Sequence, residues 1–310
     1  MPKGFHTQCL CVLLRKPVPL KWILDCLGNY EITASNESFD NWAISGPACI
    51  IPFRPEINGL VTVDIVPHRW PDHMGDPKTS PEIFGPWTLG AFGPASFPGC
   101  LERAAAYSWQ EEGAEALAKK HRAFIRARIS YSIGDTGDEP VIPDDCDPVA
   151  ELRFLTNLVR RVLRLNESLC YFNPSGELLR RRESIEETLK LAKEHDVPPL
   201  DLWSNIRCFD LGSSWTMADM VGNYQIDLPD IEAYFSTKHY DQEEVTQLLP
   251  NVILHLLGGA KMDDGDTCDG PGDVNWKVRY REESIGEPQR QVMTLSPLDK
   301  RPRPKILASP

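Results

Sequence analysis

The stretch Gly134-Asp-Thr-Gly-Asp-Glu-Pro-Val-Ile-Pro-Asp-Asp-Cys-Asp147 decides how this chain is partitioned. It is acidic and broken by Gly and Pro, the composition of a connection. Read as a linker over 135–147, it separates an N-terminal lobe, 1–134, from a C-terminal lobe, 148–295. A Pro-rich tail, 296–310, follows and reads as disordered.

Working outward, each side mixes strands with helices. In the first lobe Gln8 to Leu14 is an apolar strand, and Pro19 to Leu27 places Leu20, Ile23, Leu24 and Leu27 at helical spacing. Tyr30 to Ala34, Ala48 to Phe53 and Leu60 to Val66 read as strands, the last two joined at Asn58-Gly59. Residues 67–98 form a long Pro/Gly-rich loop carrying Trp70, Phe84, Trp87, Phe92 and Phe97. Pro98 to Lys120 is helical with a break near 109–113, and Arg122 to Tyr131 alternates as a half-buried strand should.

In the second lobe Pro148 to Leu165 carries Leu152, Leu155, Leu158, Val159 and Val162 on one stripe and is a helix. Leu169 to Phe172 is a strand and Ser184 to His195 a helix. Asp201 to Phe209 and Trp215 to Val221 are strands, Leu228 to Phe235 and Gln242 to Leu257 helices, and 260–295 strands around an Asp/Gly-rich turn. The fold class is therefore α+β: two mixed sheet-plus-helix lobes, with a tandem ferredoxin-like pair as the candidate architecture.

Composition limits the function. The 310 residues include 33 Lys and Arg against 45 Asp and Glu, a net charge of −12. Nucleic-acid affinity rests largely on cations that neutralise phosphates, so a nucleic-acid partner is not expected. Anionic lipid is disfavoured for the same reason. No apolar run approaches the ~18 residues of a membrane span, and Cys9 to Leu14 stops at Arg15 and Lys16, too short for a signal core. Nine scattered cysteines without a CxxC pair read as reduced thiols in a cytoplasm.

Two acidic constellations could carry chemistry. Asp263, Asp264, Asp266, Asp269 and Asp273 crowd one short turn. Hard cations take oxygen ligands, so Asp264, Asp266 and Asp269 are the candidate set for a divalent cation. The spacing fails an EF-hand loop, which needs Gly where Asp269 stands. The bland reading is a turn between strands, where Asp and Gly serve geometry.

The second constellation is Asp227-Leu-Pro-Asp230-Ile-Glu232, read as a helix start with acids in its first turn. Were Asp230 and Glu232 to face a cleft with Asp219 from the preceding strand and Arg207 nearby, they would form a ligand-binding or acid/base set. His68 and His73 lie with Asp72 and Asp76 in one loop and are a weaker metal candidate. No GxSxG, phosphate-binding loop or HExxH motif occurs.

Several stretches together resemble a bacterial family, domain of unknown function 4261. They are Asn166 to Glu177 (NESLCYFNPSGE), Leu200 to Arg207 (LDLWSNIR), Met220 to Glu232 (MVGNYQIDLPDIE) and Lys261 to Gly272. Phe97-Pro98, Trp109 and Lys120-His121-Arg122-Ala123 are similar as well. The resemblance implies an α+β fold and supplies no catalytic residues. Where the family's turn continues with Ile-Gly, this chain has Cys268-Asp269-Gly270-Pro271.

The leading expectation is a non-enzymatic binding or regulatory protein that works through a protein–protein surface, with no resident cofactor. An acidic surface suits a partner with a basic one, and the aromatics of Trp70 to Phe97 could anchor it. The alternative is a hydrolase or transferase that uses a divalent cation on the 263–273 turn.

Overall fold

The computed structural model describes residues 3–37, 45–108, 111–132, 142–299 and Leu307. It is α+β, with two sheets in two compact units, residues 1–203 and 204–310. The division thus falls between Trp203 and Ser204 and not across 135–147. Part of that acidic stretch, 135–141, lies outside the described residues. Its end is built in: Asp147 caps a helix, accepting from the backbone N–H groups of Val149 and Ala150 at 3.0 and 2.9 Å.

The reason for the shift is long-range strand pairing. In the first unit β1 (Gln8–Leu14) pairs antiparallel with β5 (Ala123–Ser130) on one side and with β6 (Ser168–Asn173) on the other. Residues on both sides of the acidic stretch therefore share one sheet. With β2 (Ala34–Asn36), β3 (Ala48–Pro52), β4 (Leu60–Val66) and β7 (Leu178–Arg180), the order is β2-β3-β4-β5-β1-β6-β7. The strand expected at Tyr30 to Ala34 begins only at Ala34.

Every residue of β1 is buried, as a central strand covered on both faces requires. The long helix α5 (Pro148–Val162) lies against β1 and β5. Its Pro148 sits at the first helical position, where no N–H is missed. Cys9, Cys11 and Leu13, alternate residues of β1, face the other way. They join a core with Trp70, Phe92, Phe124 and Phe172. Trp70 makes edge-on contacts with Trp87, Phe92, Phe124 and Phe172, at ring separations of 6.0, 5.0, 5.1 and 4.9 Å. The remaining helices of this unit are α1 (Leu20–Cys26), α2 (Pro81–Thr88), α3 (Cys100–Tyr107), α4 (Ala114–Lys120), α6 (Arg182–Glu194) and α7 (Leu200–Trp203).

The 67–98 aromatics are thus mostly interior. Trp70, Trp87 and Phe92 are buried, and Phe84 and Phe97 are half-buried. Indole and phenyl surface is worth more against other rings than in water, so Trp70, Trp87 and Phe92 support the sheet. The turn 72–76 is also structural. Asp72 accepts from the N–H groups of Leu101 and Glu102 at the start of α3, and Asp76 from those of Lys78 and Thr79.

The second unit holds β8 (Asn205–Gly212), β9 (Trp215–Val221), β10 (Asp230–Ser236), β11 (Thr267–Gly270), β12 (Val274–Arg281) and β13 (Val292–Pro297), in the order β11-β12-β13-β10-β9-β8. Only β10 and β13 run parallel among these pairs. Helix α8 (Gln242–Leu257), capped by Asp241, packs on β9 and β10. Seven antiparallel strands in one unit and six mixed strands in the other are not two copies of the βαββαβ plan, so a tandem ferredoxin-like pair is not what this chain builds. The tail expected from 296 begins inside β13. Residues 300–306 and 308–310 lie outside the described residues.

Two further expectations change. Leu228 to Phe235 is strand, not helix: Ile231, Ala233 and Phe235 alternate with Asp230, Glu232 and Tyr234, a period of two. Asp230 does cap a backbone turn, but the one before it, accepting from Gly222 and Asn223 N–H groups at 3.0 and 2.8 Å. The strand expected at Asp201 to Phe209 is split, its first residues completing α7 and the rest forming β8.

Candidate functional site

Sheet register brings the second constellation together. Arg207 on β8 lies opposite Asp219 on β9, and Asp219 lies opposite Glu232 on β10. Glu232 in turn lies beside Thr294 on β13. A row of polar side chains thus crosses four strands on the sheet face opposite Ile231 and Ala233. Asp230, two residues from Glu232, shares that face.

A connection between β12 and β13, residues 282–291, folds over this row. Arg290 comes from its end. Its Nη2 donates to Asp219 Oδ1 at 2.6 Å and its Nε to Asp230 Oδ2 at 2.5 Å. Nη1 donates to the carbonyl of Pro288 at 3.0 Å. Arg207 holds the other oxygen of Asp219 through Nη2, which also donates to the carbonyl of Glu287 at 2.7 Å. Asp219 is therefore clamped between two guanidiniums.

Glu232 is held differently. The backbone N–H groups of Gly286 and Ile285 donate to its two oxygens at 2.7 and 3.1 Å, and the Tyr234 hydroxyl donates to the second. Burial, then the neighbouring charge of Asp219, pushes the Glu232 carboxyl above its ordinary range. Burial also raises Asp230, outweighing the opposing pull of Arg290. Burial alone would lower Arg290, but the carboxylates of Asp219 and Asp230 carry it above its usual value.

Gly286 makes the fit possible. A Cβ at 286 would stand 2.6 Å from Asp219 Oδ2 and 3.3 Å from Glu232 Oε1. The connection can approach the carboxylates only because this residue has no side chain. Ser284 closes the arrangement, its hydroxyl donating to the Gly286 carbonyl at 2.6 Å.

Sequence reasoning named Asp219, Asp230, Glu232 and Arg207, and the structure places all four in one buried cluster. It missed Arg290, Ser284, Gly286 and Tyr234. The contacts that gather them, such as Arg290 to Asp219, span 71 residues of chain, and a lone Arg in Glu-Pro-Gln-Arg has no local signature. Chemically, the cluster is an internal lock. Its carboxylate oxygens are engaged by the protein's own donors, and it fastens 282–291 to the sheet.

The acidic turn is built otherwise. Asp264 accepts from Arg279 Nη1 at 2.6 Å and from the Tyr280 N–H at 2.9 Å. Asp266 accepts from the Asp263 N–H at 2.7 Å, a local turn bond. Asp269 lies on β11 opposite Asn275. The three candidate ligands are exposed, and Asp264 and Asp266 are engaged by different partners. Among the described residues, no group of three or more His, Cys, Asp or Glu side chains is placed to hold a metal ion. The same holds for His68, His73, Asp72 and Asp76.

Residues 219–296 match the family model described as Domain of unknown function (DUF4261). The matched segment runs from Asp219 to Ser296, so it contains the lock from its central carboxylate through Arg290. No curated protein and no solved structure matches the chain.

Proposed function

We propose that this protein is a non-enzymatic binding or regulatory protein of the cytoplasm, and that it engages a protein partner with a basic surface. The observation that carries the reading is the sorting of charge in the second unit. Its central carboxylates, Asp219, Asp230 and Glu232, are consumed inside by Arg207, Arg290 and backbone donors. The acids left outside are Asp210 on β8, Asp227 before β10, Asp241, Glu243 and Glu244 at the start of α8, Asp263 to Asp273 around the β11–β12 hairpin, and Glu282, Glu283 and Glu287 on the connection. Among the described residues of 204–299, the exposed Lys and Arg are Lys238, Lys261 and Arg279. Exposed like charges of this kind steer an oppositely charged partner and fix its register more than they add affinity.

The 263–273 turn enters this reading as surface and not as a metal-ligand set. Its backbone is fixed by the Asp264–Arg279 pair and the Asp263–Asp266 bond. Two further facts support the location. The cysteines are all free thiols, as a reducing compartment keeps them. Among the described residues no helix is long and apolar enough to cross a membrane.

The test is binding of a short Lys/Arg-rich peptide to the full chain, at low and at high salt. Binding that weakens as salt shortens the Debye length, and that is lost when Asp263, Asp266, Asp269 and Asp273 are all changed to Asn, is the expected result. Absence of binding at low salt, or binding indifferent to that variant, overturns the reading.

A further inference from the structure

The sheet face that carries the lock has a second half, and it is apolar. Tyr234 lies opposite Met217, Met217 opposite Phe209, and Trp215 opposite Ser236. These residues are in phase with Glu232, Asp219 and Arg207, two or four positions along the same strands, so they share the lock's face. The two halves adjoin: the Arg207 guanidinium stands over the Phe209 ring at 5.5 Å. Trp215, Met217 and Tyr234 are buried, and Phe209, Leu211 and Ile285 pack against them half-buried.

Another side chain packs on this cluster from beyond the last strand. It is Leu307, half-buried like its neighbours. Strand direction explains how it arrives. β13 runs parallel to β10, with Leu295 beside Ala233. It therefore leaves the sheet at the end where β10 carries Tyr234 and Ser236, which is the end the apolar half occupies. The exit is fixed: the Leu298 N–H donates to the Asn275 carbonyl at 2.8 Å, and Asp299 accepts from the Tyr240 hydroxyl at 2.8 Å. The chain from Asp299 to Leu307 can reach at most about 29 Å. The step from β13 across β10 and β9 to β8 is about 14 Å, well within that reach.

The sequence leading to Leu307 has a chemistry of its own. Lys300-Arg-Pro-Arg-Pro-Lys-Ile-Leu307 sets four cations ahead of two aliphatic side chains, in a chain whose net charge is −12. The rim of the apolar half carries the opposite sign. Asp210 stands between Phe209 and Leu211, and Glu283 and Glu287 each lie two residues from Ile285; all three acids are exposed. Among the described residues of 205–240 and 282–291, the exposed Lys and Arg come to Lys238 alone.

We infer that this apolar half is a docking site and that its occupant is this chain's own segment 300–307, with Leu307 as the anchor and the cations of 300–305 meeting the acidic rim. Pro302 and Pro304 reduce the conformational freedom lost on docking. An uncovered apolar face invites association, and the segment closes it. A foreign chain of the same chemistry, basic and then aliphatic, must displace 300–307 to enter. The site lies toward the β8 edge of the sheet and the β11–β12 hairpin at the other edge, so this inference does not rest on the partner surface proposed above.

The test uses the full chain carrying Leu307→Asp, which removes the anchor, and a synthetic peptide of residues 300–310 with the natural sequence. Calorimetry should show the variant binding the peptide, more weakly at high salt. The wild type, already filled, should bind it at least about tenfold more weakly, as should the variant offered a peptide with Leu307→Asp, since one buried leucine is worth that much. Adding Leu211→Ser to the variant should likewise weaken binding. Hydrogen exchange over 209–215 should be faster in Leu307→Asp than in the wild type, with exchange at the Gly286 and Ile285 amides unchanged as the sign of an intact fold. The inference is overturned if the peptide binds neither protein, binds both alike, or binds without regard to salt, or if Leu211→Ser leaves binding intact. It is also overturned if light scattering finds wild-type dimers that Leu307→Asp converts to monomers, because the occupant is then the segment of a second copy.

Discussion

Arg290 donates to Asp219 at 2.6 Å across 71 residues of chain, and the same guanidinium reaches Asp230 at 2.5 Å. One cation from the 282–291 connection thus joins two neighbouring strands. Replacing it leaves two buried carboxylates facing each other. Arg290→Met should destabilise the second unit by about 3–5 kcal/mol, the usual cost of breaking a buried pair from one side. Denaturant unfolding followed by hydrogen exchange in β9 and β10 measures it. A loss below about 1 kcal/mol would mean that the clamp is not structural.

Gly286→Ala tests the same lock by shape instead of charge. The added methyl meets Asp219 and Glu232 oxygens that are themselves held. The expected cost is about 1–3 kcal/mol, that of overpacking a filled interior, with exchange at the Gly286 and Ile285 amides rising more than elsewhere. An unchanged melting midpoint contradicts the close approach.

Acid should weaken the two units by different routes. Burial pulls Asp64 upward, but Arg126 and Arg128 overcome it and hold the carboxyl below its usual range. A depressed carboxyl stabilises the fold above the unfolded value, about 3.9 for Asp, and that support is lost as pH falls through the folded value. Asp230 and Glu232 are raised, so their ionised forms cost stability at neutral pH, and the cost is relieved as pH falls through their folded values. Below about pH 4, hydrogen exchange should therefore accelerate in β4 and β5 before β9 and β10. Asp64→Asn should remove that acid step. The reverse order would contradict these assignments.

Exposed pairs should matter little. Asp264→Asn removes an ion pair with Arg279 whose members are both about half exposed. Its effect on stability should stay within about 1 kcal/mol. Magnesium or calcium should not shift the melting midpoint of the full chain, since Asp264 and Asp266 are engaged by different partners and no three side chains of the described residues converge on a cation. A rise of several degrees, abolished by Asp264→Asn with Asp266→Asn, would return the turn to the metal reading.

Trp70→Ala should cost about 3–5 kcal/mol, because the indole joins four other rings. Near-ultraviolet circular dichroism would show the collapse of the aromatic cluster. A full-strength signal would place Trp70 outside the core.

Local pattern carried much of the fold. β1, β9 and α8 begin and end at the bounds read from sequence, Gln8–Leu14, Trp215–Val221 and Gln242–Leu257. What failed was non-local. The pairing of β1 with β6 joins residues on both sides of an acidic connection that reads as a boundary, and no local signal reports a strand partner that far along the chain. Asp230 and Glu232 read as a helix start because Asp-Leu-Pro-Asp satisfies helix-start chemistry. The period of two in Ile231, Ala233 and Phe235 was the better guide. The four acidic and basic residues singled out do converge, yet Arg290 and Gly286 make them a lock, and neither announces itself in sequence.

The central claim is that the second unit's buried charges hold the fold while its exposed acids meet a partner. The most direct measurement is the affinity of a Lys/Arg-rich peptide for three folded proteins: the wild type, Glu232→Gln, and the variant with Asp263, Asp266, Asp269 and Asp273 changed to Asn. Wild type and Glu232→Gln should bind alike, and the surface variant should lose the interaction. Loss on Glu232→Gln with full binding by the surface variant would contradict the account and make the buried cluster the ligand site.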